Sequence, residues 1–277
     1  MTRDTNPAWR QARVLDNQLV ADGSMWITLE ATDELPATYE PGHVLGLSLK
    51  VGDGYMRHAY TVSRGEAQTR RFDHLYRIIS HGRMTPRLAA LSKDATVFFR
   101  GPFHTPIRQE IQSAAERIVL MATGVGVGPI FGYAEQALGE GETRPMSLYA
   151  GFREESDICL TAELDRLASG HVNFEWHYTV THPSKQWRGL TGRITERVPD
   201  GISKYKLETH HFHLVGNGEM VHLVRKALYR AGMQTGRVSI ETYFNHYAEP
   251  LDTEVDRLAS RFRGWGDSRE RARLMAR

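Results

Sequence analysis

The chain has 277 residues, 40% hydrophobic and 25% charged, with a formal net charge of +2. That length supports one large domain or two ordinary ones with packed cores, and the near balance of charge gives no reason to expect a nucleic-acid partner. The single cysteine, Cys159, excludes an internal disulfide and any iron–sulfur cluster held by this chain's cysteines alone.

No apolar run reaches the roughly 18 residues of a membrane span. Met1-Thr-Arg-Asp-Thr-Asn-Pro7 lacks the apolar centre of a signal peptide. The expectation is a cytoplasmic, monomeric protein without a metal site.

In chain order, residues 13–19, 25–29, 44–49, 58–63, 75–80 and 96–100 are short, alternating or β-branched runs. Asp22-Gly23, Pro41-Gly42 and Gly52-Asp53-Gly54 punctuate them as turns. Six strands at this spacing predict a small antiparallel barrel. One helix interrupts it at Thr85-Pro-Arg-Leu-Ala-Ala-Leu91, with Thr85 expected as N-cap and Pro86 at the first helical position.

Beyond Pro106 the rhythm changes. Apolar runs at 118–121, 146–149, 172–178 and 212–215 are each followed by a helical stretch, at 129–138, 160–167, 191–197 and 219–231. A last strand is expected at 238–243. Strand–helix alternation of this kind predicts a parallel sheet covered on both faces. In the arginine-rich tail Leu251, Val255, Leu258 and Phe262 keep a helical spacing. The organisation expected is therefore a barrel over 1–107, an α/β domain over 108–249 and a helical extension over 250–277.

Several loops carry chemistry. Thr123-Gly-Val-Gly-Val-Gly-Pro129 lies between a predicted strand and a predicted helix, where glycines let backbone N–H groups approach a pyrophosphate. A ligand-free βα turn is the alternative reading. Tyr149-Ala-Gly-Phe-Arg153 ends the next strand with an arginine, which suits a ribose 2′-phosphate better than the acidic residue typical of NAD sites. A solvated arginine is the alternative reading of Arg153, and Arg193, beside Gly192 at an expected helix start, is a second candidate. In the barrel half, Met56-Arg-His-Ala-Tyr-Thr-Val-Ser63 and Gly82-Arg-Met-Thr-Pro-Arg87 offer an aromatic plane, a neighbouring hydroxyl and a helix start. Tyr60 as core and Thr85 as a cap are the structural alternatives.

Together these segments resemble the ferredoxin–NADP reductase family, and within it the bacterial ferredoxin/flavodoxin–NADP reductases, over roughly residues 8–245. The resemblance implies an FAD-binding barrel followed by an NADP-binding domain. His58-Ala59-Tyr60-Thr61 matches the flavin motif R-x-Y-[ST], with histidine in place of arginine. It implies Tyr60 against the isoalloxazine ring and Thr61 near its reactive nitrogen. Gly82, Met84 and Thr85 resemble the second flavin motif, which holds the FAD pyrophosphate. Thr123, Gly124, Gly126, Gly128 and Pro129 match the nucleotide loop T-G-x-[GA]-x-x-P. Gly216, Asn217 and Met220 resemble the segment C-G-N-P-x-M beside the nicotinamide, with Val215 and Gly218 replacing its cysteine and proline. Glu241-Thr-Tyr-Phe244 resembles the aromatic ending of bacterial members, in which Phe244 would cover a flavin face.

The implied activity is electron transfer between NADPH, ahead of NADH, and a ferredoxin or flavodoxin through FAD, with Tyr60, Thr61, Glu241 and Phe244 at the reacting centre. The alternatives are a reductase component of an oxygenase, a free-flavin reductase, or a flavin-binding subunit without turnover.

Overall fold

The computed structural model describes residues 8–35, 38–66, 68–202, 205–243 and 248–263. The chain forms two compact units: Met1–Glu110, Gly128–Gly141 and Ser156–Thr161 in one, Ile111–Val127, Glu142–Glu155 and Ala162–Arg277 in the other.

The first unit is built on strands β1 (Arg10–Ala21), β2 (Ser24–Ala31), β3 (Val44–Val51), β4 (Gly54–Thr61), β5 (Arg64–Glu66), β6 (Arg71–Arg77) and β7 (Thr96–Arg100). They pair antiparallel in the order β4-β3-β7-β1-β2-β6-β5. Register breaks in β1, between Val14 and Asp16 and between Leu19 and Ala21, bend the sheet, and β4 also approaches β6, so the sheet curls into a barrel. Alternate residues point inward, and Val14, Ile27, Leu29, Leu45, Leu47, Phe72 and Phe99 fill the interior. Short helices α1 (Thr85–Ala89) and α2 (Ile107–Glu110) complete this stretch of chain. Helix α3 (Val127–Gly139) contributes to this unit from Gly128 onward, and Gly128 lies against Ser63 and Leu75.

The second unit holds β8 (Arg117–Thr123), β9 (Met146–Phe152), β10 (Phe174–Val180), β11 (Leu190–Thr191), β12 (His210–Asn217) and β13 (Val238–Tyr243). All are parallel, in the order β11-β10-β9-β8-β12-β13. Helix α4 (Thr161–Gly170) connects β9 to β10, while α5 (Val198–Ile202), α6 (Gly218–Arg230) and α7 (Asp252–Arg263) surround a core that includes Val119, Met121, Phe212 and Leu214. Among the described residues no helix is long and apolar enough to cross a membrane.

The architecture is the one expected, and several details correct it. A seventh strand, β5, escaped notice because Arg64-Gly-Glu66 has no apolar residue to mark it. Strand β4 starts at Gly54 rather than 58, since of its first four residues only Met56 is partly buried and no alternation marks them. Strand β6 spans Arg71–Arg77, not 75–80, and β10 begins at Phe174 because Val172 points fully into solvent. The helix expected at 191–197 does not form. Gly192 adopts φ +90°, which ends β11, and a 3-10 turn at Ile194–Glu196 leads into α5 instead. Thr85 is not an N-cap: Met84 takes that position, and the Thr85 hydroxyl accepts the Ile79 amide at 2.8 Å. Leu251 is 66% exposed and precedes α7, so only Val255, Leu258 and Phe262 of the predicted stripe are buried.

Candidate functional site

In the second unit the strand order reverses between β8 and β12, and a crevice for a nucleotide is expected beyond the carboxyl ends of such a strand pair. Both strands end there in glycine-containing turns. Strand β8 finishes at Thr123, and a 3-10 turn over Gly124–Gly126 follows, with Gly124 at φ +53°. Strand β12 finishes at Asn217, whose side chain accepts the Glu219 amide at 2.7 Å and so caps α6.

The two turns are tied together. The Thr123 hydroxyl oxygen accepts the Asn217 amide at 2.8 Å. A Cβ on Gly126 would come within 2.8 Å of the Val215 carbonyl oxygen, and one on Gly216 (φ +129°) within 2.9 Å of the Thr123 carbonyl oxygen. Side chains at these two positions would push the turns apart, so the glycines make the close approach possible. The result is a narrow backbone cradle with the positive end of α6 at its rim, a geometry suited to an anionic group.

Val215, which stands where the resembled motif has cysteine, is fully buried, and Met220 is 8% exposed within the core. Glu241 pairs in register with Val215, and Tyr243 with Asn217, so β13 delivers both to the same edge. Phe244 lies outside the described residues.

The neighbouring strand ends carry the predicted arginines. Arg153 follows β9, with a side chain 76% exposed and Nε 3.7 Å from the Glu154 carboxylate. Its carbonyl accepts the His182 amide at 2.8 Å, and the Val180 carbonyl accepts the Gly192 amide at 2.9 Å. Arg193 follows in extended conformation, exposed, ahead of the turn at Ile194–Glu196. Arg153 and Arg193 thus sit at the same edge of the sheet as Thr123. Arg188 donates to the carbonyls of Lys185 and Trp187 in its own loop.

In the barrel, His58 and Ala59 are exposed while Tyr60 and Thr61 are buried. Arg57 points to the other face, where its guanidinium lies over the rings of Trp9 and Tyr55. Tyr60 meets Tyr76 and His74 edge to face, at centroid distances of 6.0 and 6.1 Å, and its ring is tilted against that of His58. Burial pushes the Tyr60 phenol well above its ordinary range, and its hydroxyl has no hydrogen-bond partner among the described residues. A buried, unpartnered hydroxyl is costly. A group bound beside Tyr60 would remove that cost, so this end of the barrel fits a polar aromatic cofactor.

Sequence reasoning missed His74. It is fully buried on the inward face of β6, between Phe72 and Tyr76, and its Nδ1 lies 2.8 Å from the Thr61 carbonyl oxygen. Burial pushes its imidazole down to about 4, so the ring is neutral, and Nδ1–H donates to Thr61. An alternation of Phe72, His74 and Tyr76 on one strand face was the available sign. The turn holding Gly82 and Thr85 is closed by the Gly82 amide on the Ile79 carbonyl at 2.7 Å and by the Thr85 hydroxyl. Accepting leaves the Thr85 O–H free to donate. Met84 is part of the barrel core.

Comparison with known proteins follows this geometry. Residues 120–226 match the family described as Oxidoreductase NAD-binding domain. Ferredoxin–NADP reductase B of Sorangium cellulosum is 26% identical over 78% of this chain and 90% of its own length. NADH-cytochrome b5 reductase 2 of Aspergillus fumigatus is 29% identical over 50% of this chain, which spans only 43% of that protein. Among solved structures, the ferredoxin NADP+ reductase from Neisseria gonorrhoeae with bound FAD and NADP superposes with a TM-score of 0.74 at 18% identity, covering 85% of this chain and 99% of that one. Barrel, parallel sheet and relatives agree: the chain carries an oxidoreductase NAD-binding domain over residues 120–226 and is similar, over most of its length, to ferredoxin–NADP reductases.

Proposed function

We propose that the protein is an FAD-dependent reductase that takes electrons from NADPH and delivers them to a separate one-electron carrier, a ferredoxin or flavodoxin. The observation that carries this reading is the cradle formed by Gly126, Gly216 and the Thr123–Asn217 hydrogen bond at the reversal of strand order. Tyr60 with its unpartnered phenol, and Thr61 beside it, support a flavin site in the barrel. FAD, when bound, supplies the conversion of a two-electron hydride into single electrons.

Each of this chain's residues has a distinct part. Tyr60 provides an aromatic face and a hydroxyl. Thr61 offers its hydroxyl from a backbone that His74 holds at the carbonyl. Gly82 and Thr85 present a tight turn and an O–H for the pyrophosphate, with His58 exposed on β4 in place of an arginine. Thr123, Gly124, Gly126, Gly128 and Pro129 shape the nicotinamide-nucleotide loop, and Gly216 and Asn217 close it. Arg153 and Arg193 recognise the 2′-phosphate, for which paired guanidinium donors are well suited. Met220 supports this site from the core, while Glu241 and Phe244 belong to the strand end beside it. Surface arginines and lysines favour an acidic carrier by steering.

A carrier panel tests the partner: NADPH and NADH are each supplied with ferredoxin, flavodoxin or cytochrome b5, and carrier reduction is followed optically. Fastest reduction of ferredoxin or flavodoxin with NADPH supports the reading. The similarity to an NADH-cytochrome b5 reductase favours a second one, in which NADH and a haem protein are preferred.

A further inference from the structure

The helix beyond β13 is joined to the turn that carries Arg193. Its apolar side, Val255, Leu258, Ala259 and Phe262, is buried in the same core as Ile194, Val198 and Ile202. The Phe262 ring meets that of Phe212 edge to face at 6.1 Å. Its start is fastened to α6 by Arg230, which donates to Asp252 and Asp256 at 2.9 Å each.

Its polar side also grips Glu196. Arg257 donates to one carboxylate oxygen of Glu196 at 2.8 Å, and Arg261 to the other at 2.5 Å. The second Nη of Arg261 donates to the Glu196 carbonyl at 2.6 Å and to Asp200 at 2.8 Å. Glu196 is thus held at both side-chain oxygens and at its backbone. The Glu196 amide in turn donates to the Arg193 carbonyl at 3.0 Å. Arg261 and Glu196 have side chains only 29% and 35% exposed, so these charge-assisted contacts are less screened than those of a fully exposed pair.

We propose that α7, through Arg261 and Arg257 on Glu196, is a positioning element for Arg193 that sets how well the protein distinguishes a 2′-phosphate from a free 2′-hydroxyl. The inference rests on the reading of Arg193 as a phosphate contact. An exposed arginine loses much rotamer freedom when it grips a phosphate, and an anchored backbone lessens what must be ordered on binding. Without the clamp the turn at Ile194–Glu196 relaxes, and the phosphate contact weakens while the rest of the nucleotide site stays intact.

The test is calorimetric binding of 2′-phospho-AMP and of 5′-AMP to the purified full chain, which requires no turnover. R261Q is expected to weaken 2′-phospho-AMP by roughly threefold to tenfold and to leave 5′-AMP unchanged. E196Q should do the same, and the double variant should lose less than the two single losses added together, because the two changes share the Arg261–Glu196 contact. R257Q removes a single contact and gives a smaller loss of the same kind, should R261Q fail to fold; unchanged 5′-AMP affinity certifies folding. R193A separates the two claims. If R193A collapses the preference while R261Q, R257Q and E196Q all keep it, the clamp is overturned and the phosphate contact stands. If R193A itself leaves the preference intact, the phosphate contact fails and the inference falls with it.

Discussion

Replacing His74 with phenylalanine should remove a defined part of the protein's acid sensitivity. In the folded barrel burial lowers the His74 imidazole to about 4, against an ordinary value of 6.5. The unfolded chain therefore binds the proton as pH falls through about 6.5, while the folded chain resists until about 4. The stability due to the neutral buried ring is fully present above pH 6.5 and is lost as pH falls toward 4. Each tenfold difference in proton affinity is worth about 1.4 kcal/mol, so the whole effect is about 3 kcal/mol, of which about 2 kcal/mol falls between pH 7.5 and pH 5. Other groups titrate in the same window, so the quantity of interest is a difference. Urea unfolding of parent and His74→Phe at the two pH values should show a smaller acid loss in the variant, by about 2 kcal/mol. His74→Phe also strips the Thr61 carbonyl of its donor, which lowers stability at both pH values without changing the difference. Equal acid losses in the two proteins would refute the picture of a neutral imidazole inside the barrel.

Three further outcomes follow from the site. Arg153→Ala should raise KM for NADPH roughly tenfold to a hundredfold while changing that for NADH little, and equal effects on both would show that Arg153 does not read the phosphate. Gly126→Ala places a Cβ 2.8 Å from the Val215 carbonyl oxygen, so it should weaken binding of either nucleotide at least about tenfold, measured by calorimetry, while spectral evidence of bound flavin persists; parent-like affinity would show that the two turns need not meet. Flavin released by heat and separated by chromatography should be FAD, and a stoichiometric yield of FMN would contradict the role assigned to Gly82 and Thr85.

Local pattern made much of this legible. The apolar runs that became β8, β9 and β12 are continuous because both faces of a parallel sheet are covered, and such runs announce themselves. The loop from Thr123 to Pro129 is compact in sequence, so its glycines could be read directly. Features that depend on distant residues could not. Thr123 and Asn217 meet across 94 positions, and Glu196 meets Arg261 across 65. The stripe of Val255, Leu258 and Phe262 announces a helix but not the turn it clamps. The helix expected after Thr191 failed for a local reason, the positive φ of Gly192, which composition alone does not reveal. His74 was hidden because histidine on a strand is ordinary until its neighbours Phe72 and Tyr76 are seen to face inward.

The most direct test of the central claim is an anaerobic titration of the purified protein with NADPH, followed by visible absorbance. The account predicts a yellow protein whose flavin bands bleach rapidly and completely at about one equivalent of NADPH, with NADH acting more slowly. A colourless protein that does not take up FAD, or a yellow one that neither nucleotide bleaches, would contradict it.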